Sequence, residues 1–373
     1  MNKTTMRAVG VIPGKREVRL LEHAIPQIGA AHEVKVRSLE VGICGTDKEI
    51  CTFVYGSPPH GSDYLVLGHE SLGQVTEVGS AVSGLRPGDL VVPSVRRPCS
   101  HDHCSPCRVD LQDFCFTGDF TERGIKMTHG FMTEYYVEAE RYLTIVPPEL
   151  RDVAILVEPL TVAEKALAQV WQIQERMPWS RSSVSRKGDG LRAVVLGAGP
   201  VGILGAMALV ARGFETYVYS RSPAPNPKAE LVESIGAKYV SSQLETAEQL
   251  AERVGNIDLV YEAVGAARIS FQVLKVLGTN GIFVFTGIPA PKPPIDTEAD
   301  NIMRNIVLKN QVVVGTVNAD RAAFQAAIRD LEIFIRLWPE ALRSLITGRY
   351  SIESYKELLL GDRSGIKNVI ALD

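Results

Sequence analysis

The first part of the chain alternates apolar and polar positions in short runs, as at 33–37 and 73–79, with glycine and proline between the runs. A period of two predicts β-strands joined by turns. From Leu191 the pattern changes. Positions 192–196 are a strand-like apolar run, 197–202 are glycine-rich, and 203–212 carry Ala, Leu and Met with no breaker after Gly205. That order predicts strand, tight turn and buried helix. Further strands are expected at 216–219, 239–240, 257–261 and 281–285, and a helix at 228–235. Alternating strand and helix specifies a parallel, doubly wound sheet, so the fold class is α/β. Helices are expected at 321–337 and 354–360, and a last strand at 369–372 that returns to the first domain. The polar stretch 178–190 reads as a loop or linker.

Composition narrows the class. A chain of 373 residues has room for two domains. Hydrophobic content of 45% and charged content of 22% are ordinary for a globular protein. A net charge of −3 gives no reason to expect nucleic acid or an anionic membrane as partner. No apolar run reaches the ~18 residues of a membrane span. The first ten residues hold no long apolar stretch, so no signal peptide is expected and a cytoplasmic location follows by default.

Candidate chemistry begins with the turn after 192–196. Gly197 permits a sharp turn, Gly199 lets backbone approach a pyrophosphate, and Gly202 lets helix pack on strand. The helix start adds N–H groups and a positive dipole end. At the end of the next strand stand Ser220, Arg221 and Ser222, with no acid to bind ribose hydroxyls. Arg221 suits a 2′-phosphate, so NADP is expected as the preferred cofactor and NAD as the second candidate. A solvated surface arginine is the bland alternative.

Four cysteines, Cys99, Cys104, Cys107 and Cys115, fall within 17 residues. Four thiolates suit a closed, structural zinc site. His101 and His103 lie in the first gap and could replace a cysteine. A nucleic-acid-binding zinc ribbon would need a basic face. Asp102, Asp110, Asp113 and Asp119 flank this segment instead. Cys44, His69, Glu70 and Glu158 are far apart, and ligands from separate loops with carboxylates among them suit an open catalytic zinc. Taken singly each is weak, and Cys51 reads as a core residue.

These motifs in this order, with Gly42-Ile-Cys44-Gly-Thr46-Asp47, Gly68-His69-Glu70 and Glu158-Pro159-Leu160, resemble the zinc-dependent medium-chain dehydrogenase/reductase superfamily. Arg96-Arg97, the segment from Phe114 to Ile125, Gly130-Phe131-Met132, Glu164-Lys165 and Val317-Asn318 resemble its glucose (aldose) 1-dehydrogenases. The resemblance implies a GroES-like catalytic domain over 1–185, with 319–373 returning to it, and a Rossmann domain over 186–318. It implies that Cys44, His69, Glu70 and Glu158 surround catalytic zinc, giving two zinc ions per subunit. It implies sugar contacts at Thr46, Glu122, Asn318 and Glu158. Gly199, Pro200, Val201 and Gly202 would line the pyrophosphate, and Ser220, Arg221 and Ser222 the adenosine ribose. Gly287, Ile288, Thr316, Val317 and Asn318 would lie by the nicotinamide half, and Lys367 would be a late cofactor contact.

The implied reaction takes the proton of an anomeric hydroxyl through Thr46 and the hydride on C1 to the nicotinamide, leaving an aldonolactone. Two departures stand out. Val95 and Val162 occupy positions where relatives often carry Asn and an acid. A cyclitol, an amino or deoxy sugar or another secondary alcohol therefore stays open as substrate. Thr46-Asp-Lys-Glu49 also reads as a capping box, and Asn318 as a helix cap. The resemblance implies a homo-oligomer, dimer or tetramer.

Overall fold

The computed structural model describes residues 4–178, 185–290, 292–362 and 364–372. The middle of the expected linker, 179–184, lies outside the described residues. The chain divides into two compact units: Met1–Thr161, Asn318–Glu332 and Leu342–Asp373 in the first, Val162–Val317 and Ile333–Ala341 in the second. The division falls at Thr161, not at the expected 185/186. The physical reason is the helix Val157–Gln174, which the sequence reading did not mark. Its first turn belongs to the first unit, and its buried Ala163, Ala166, Leu167 and Val170 belong to the second. The tail is split as well, because Ile333–Ala341 packs with the second unit.

The first unit is built on a sheet centred on the strand Glu33–Gly42. That strand pairs antiparallel with Glu70–Val78, with Tyr135–Ala139 and with the final strand Lys367–Ala371. The end of the chain thus returns here as the alternation at 369–372 predicts. Val34, Val36, Val41, Val75, Phe131, Met132 and Ile370 fill the core beneath it. Val95 is part of that core and only 3% exposed.

Two arginines on the short strand Arg96–Arg97 are each tied to a buried carboxylate. Arg96 Nε donates to Glu122 Oε1 (3.0 Å), and Arg97 forms an ion pair with Glu138. Arg123 Nε also donates to Glu138 (3.0 Å).

The second unit holds a six-stranded parallel sheet. Its order is Lys238–Ser241, Glu215–Ser220, Arg192–Leu196, Leu259–Glu262, Ile282–Phe285, Val312–Gly315. The order reverses between the first and fourth strands, which defines a topological switch point. Every strand expected from 192 to 285 is present. The fully apolar strands follow from burial on both faces, as parallel sheets require. Helix Pro200–Ala211 starts with proline at its first position, where the missing N–H costs nothing. Helix Ala247–Val254 starts on a Thr246/Gln249 capping box. No helix among the described residues is long and apolar enough to cross a membrane.

Candidate active site

Cys44 leaves the central strand of the first unit and caps the short helix Gly45–Ile50. Glu70 opens the neighbouring strand Glu70–Val78, and His69 directly precedes it. Glu70 faces Gly42 across the ladder, so the two chain segments arrive side by side. The ligand atoms of Cys44, His69 and Glu70 all lie within 4.8 Å of one another. His69 and Glu70 are buried and Cys44 is partly so. Thiol, imidazole and carboxylate converging in a buried place form a donor set that fits a zinc ion.

Asp47 organises this set and was missed as a functional residue. It is fully buried. Cys44 N donates to its Oδ2 (2.9 Å), Gly68 N donates to its Oδ1 (3.2 Å), and His69 Nδ1 lies 3.4 Å from Oδ1. One carboxylate thus holds the two segments that carry the ligands and turns the other imidazole nitrogen toward them. The helix start therefore uses Cys44 and Asp47, not the Thr46/Glu49 box expected. An acid three residues after a cysteine is all the sequence shows of it; its burial comes only from the fold. Burial pulls the His69 pKa down, but the charges of Asp47 and Cys44 outweigh it and hold it well above the ordinary value.

Glu158 lies beside the set and not in it as placed. It stands in the first turn of Val157–Gln174, close enough to feel the charges of His69 and Glu70. Burial, aided by the charge of Glu70, pushes its carboxyl up to about 7 against the pull of His69 and Lys367. Lys367 differs from expectation. It is 1% exposed, forms an ion pair with Glu70 and donates to Ile43 O (3.2 Å). A late strand buried beside the central one carries it to Glu70, so in this structure it braces a ligand candidate and does not present itself as a cofactor contact.

Glu122 and Asn318 meet. Asn318 Nδ2 donates to Glu122 Oε1 (2.7 Å), the oxygen that Arg96 also uses, and Glu122 Oε2 is left for another donor. Asn318 adopts a left-handed backbone (φ 60°). It does not cap the helix Arg321–Leu337, because Asp320 Oδ1 takes the Ala323 N–H (2.9 Å). Thr46 sits half-buried two residues after Cys44, in the first turn of the helix, and its hydroxyl bonds to none of the described residues.

The Cys99, Cys104, Cys107 and Cys115 ligand atoms also lie within 4.8 Å of one another. All six cysteines are free thiols. His101 is engaged elsewhere, with Nε2 2.5 Å from Asp119 Oδ2, so the four sulfurs alone form this group. Cys51 is buried in the core, where burial and the charge of Asp47 push its thiol up to about 12.

In the second unit Gly197 takes φ +100°, and a Cβ on Gly202 would meet Gly197 O at 2.1 Å. A Cβ on Gly199 would meet nothing in the chain, so the turn stays open on that side. The open turn and the N-terminus at Pro200, Val201 and Gly202 fit an anionic pyrophosphate. Arg221 is exposed just after the strand Glu215–Ser220, with no carboxylate against it among the described residues. Its backbone is fixed by Ser241 Oγ donating to Arg221 O (2.9 Å), and that of Ser222 by Tyr239 Oη (2.7 Å). Gly287, Ile288, Thr316 and Val317 follow the fifth and sixth strands, on the same edge of the sheet. Lys165, buried, donates to Val317 O (2.7 Å).

Comparison with known proteins places the chain in a family. Residues 30–148 match the family described as alcohol dehydrogenase GroES-like domain, and residues 151–372 match glucose dehydrogenase C-terminus. Glucose 1-dehydrogenase of Methanocella arvoryzae is 39% identical over 368 residues, 98% of this chain and 99% of that one. Glucose 1-dehydrogenase of Thermoproteus tenax is 38% identical over 367 residues, 98% and 99% of the two chains. Haloferax mediterranei glucose dehydrogenase, solved with NADP, Zn and gluconolactone, matches with a TM-score of 0.87 at 31% identity, covering 98% and 99%. The chain belongs to the zinc-dependent medium-chain dehydrogenases, in their glucose dehydrogenase branch, and is an NAD(P)-dependent oxidoreductase of alcohol groups.

Proposed function

We propose that the protein oxidises the anomeric hydroxyl of a glucose-like aldose to an aldonolactone, with NADP as preferred hydride acceptor. The observation that carries this reading is the convergence of Cys44, His69 and Glu70 within 4.8 Å in a buried place. These residues would hold the catalytic zinc with Glu158 in reserve beside them, and the four clustered cysteines a second, structural zinc. Zinc held there supplies a positive charge that makes a hydroxyl easier to deprotonate. Thr46 has a hydroxyl uncommitted to the described residues and would pass the proton outward. Glu122 Oε2, with Oε1 already occupied, would accept a sugar hydroxyl, and the Asn318 amide and Arg96 keep that carboxylate aimed. Val95 belongs to the core, so its apolar character fits its packing and removes one of two arguments against a sugar.

The first unit would be catalytic and the second nucleotide-binding. Arg221 would pair with the 2′-phosphate. Gly287, Ile288 and Thr316 would line the nicotinamide half, a role favoured by Thr316 Oγ1, which is buried with no hydrogen-bond partner among the described residues. The free thiols suit a reducing, cytoplasmic setting. A homo-oligomer is expected through the outer strand Val312–Gly315, an open sheet edge. Beside it Met303, Val307 and Leu308 are each exposed by more than half.

Initial rates with glucose, galactose, xylose, a cyclitol and simple secondary alcohols, each with NADP and NAD, test the reading. Aldoses should give the highest kcat/KM, with lactone as product. A cyclitol or simple alcohol turning over faster than every aldose sinks it.

A further inference from the structure

Glu262 ends the strand Leu259–Glu262 and is 1% exposed. It pairs in register with Leu196, the last residue before the glycine turn, and Ala263 N donates to Leu196 O (3.1 Å). It therefore stands at the switch point of the sheet. Among the described residues no lysine or arginine pairs with it; three backbone N–H groups do. Glu262 Oε1 accepts from Val264 N (2.9 Å) and Gly265 N (2.7 Å), and Oε2 accepts from Gly287 N (3.0 Å). Its carbonyl accepts from Thr286 Oγ1 (2.6 Å).

One residue thus ties the loop leaving its own strand to the loop leaving the neighbouring strand Ile282–Phe285. The two loops cross so tightly that a Cβ on Gly287 would meet Gly265 N at 2.2 Å, and one on Gly265 would meet Ile288 O at 2.7 Å. Val264 in turn borders the glycine turn, 3.2 Å from where a Gly197 Cβ would stand. Three converging donors match an ionised carboxylate, which only accepts. An amide of the same shape would set N–H against N–H at one or more of them.

A dinucleotide lies across the switch point, with one half over the second strand and the other over the fourth and fifth. With Arg221 marking the adenosine side, the nicotinamide side falls on loops 263–265 and 286–288. We propose that Glu262 is a positioning residue for the nicotinamide half of the cofactor: it clamps the two loops under that half, and its fixed negative charge favours the cationic oxidised ring over the neutral reduced one. This rests on reading the second unit as dinucleotide-binding.

The test titrates the full-length wild type, Glu262→Gln and Glu262→Asp with NADP+, NADPH and 2′,5′-ADP, with near-UV circular dichroism as the check on folding. In Glu262→Gln, NADP+ should weaken about fivefold more than NADPH, the effect of one charge acting over several ångströms of partly wet protein. Its affinity for 2′,5′-ADP should stay within about twofold, since the adenosine half does not sense the clamp. Glu262→Asp keeps the charge and should keep the NADP+ to NADPH ratio. It should lose about tenfold in kcat, because the shorter side chain cannot span both loops. A folded Glu262→Gln with an unchanged NADP+ to NADPH ratio overturns the proposal. Should that variant not fold, Glu262→Asp decides, and unchanged kcat and NADP+ affinity overturn it. A wild type that binds none of the three ligands fails the dinucleotide reading and takes the proposal with it, an outcome distinct from binding that is intact in every variant.

Discussion

Asp47 shows how much a single side chain can do without touching substrate. Its two oxygens are shared among the Cys44 amide, the Gly68 amide and the His69 ring. Outer partners of this kind typically carry ~10–100-fold in metal affinity or activity. Asp47→Asn should therefore lower zinc affinity and kcat by about that factor. Cys44→Ser or His69→Ala should abolish turnover outright, and both should leave NADP affinity near the wild-type value by fluorescence titration. Turnover that survives zinc removal would show the metal to be irrelevant.

For the cofactor, the residue to change is Arg221, proposed above to pair with the 2′-phosphate. A charged hydrogen bond is worth ~1.5–3 kcal/mol, so Arg221→Ala should weaken NADP by roughly 10–100-fold while sparing NAD. Equal losses for both cofactors would mean the guanidinium does not read the phosphate. The glycine turn and the exposed place of Arg221 after a strand were legible because turns and strand ends are local signals. Asp47 was not, because its value comes from being buried between two segments that meet only in the fold.

Among elements, the strand Tyr135–Ala139 is paired with the central strand and further tied by the Glu138 carboxylate to Arg97 and Arg123. Burial alone would raise the Glu138 carboxyl, but the Arg123 and Arg97 guanidiniums overcome that and hold it at about 2. A carboxyl depressed in the folded state stabilises fully above its unfolded value near 4.5 and loses the contribution as pH falls toward 2. The loss should be on the order of 3 kcal/mol. Urea midpoints measured from pH 5 down to pH 2.5 should fall more steeply for the wild type than for Glu138→Gln, which is less stable at neutral pH. Parallel curves would remove Glu138 as a source of acid sensitivity.

The same scale explains the uneven reading of the sequence. The strands from 192 to 285 were legible because burial on both faces writes continuous apolar runs between turns. Helix Val157–Gln174 was not: it serves two cores in succession, and its pattern marks neither a start nor a domain edge.

For the whole molecule, the open strand Val312–Gly315 is the feature with consequences. A lysine on such an edge blocks pairing with a second copy. Val313→Lys should halve the mass measured by light scattering, or reduce a tetramer to a smaller species, with NADP affinity kept. A wild type already monomeric at micromolar concentration would end the edge-pairing idea.

The order of motifs along the chain was enough to determine an α/β fold, a glycine turn between strand and helix, a four-thiol group and three of the residues that converge as a candidate metal set. These are carried by spacing and by local backbone demands, which sequence records directly. Tertiary structure alone decided that Glu158 stands beside the ligand set, that Lys367 braces Glu70 from within, that Val95 is core, and that the division falls inside a helix. Each of those depends on which distant segments share a buried space, and burial sets the energy of a charge or a methyl group far more than its neighbours in the chain do.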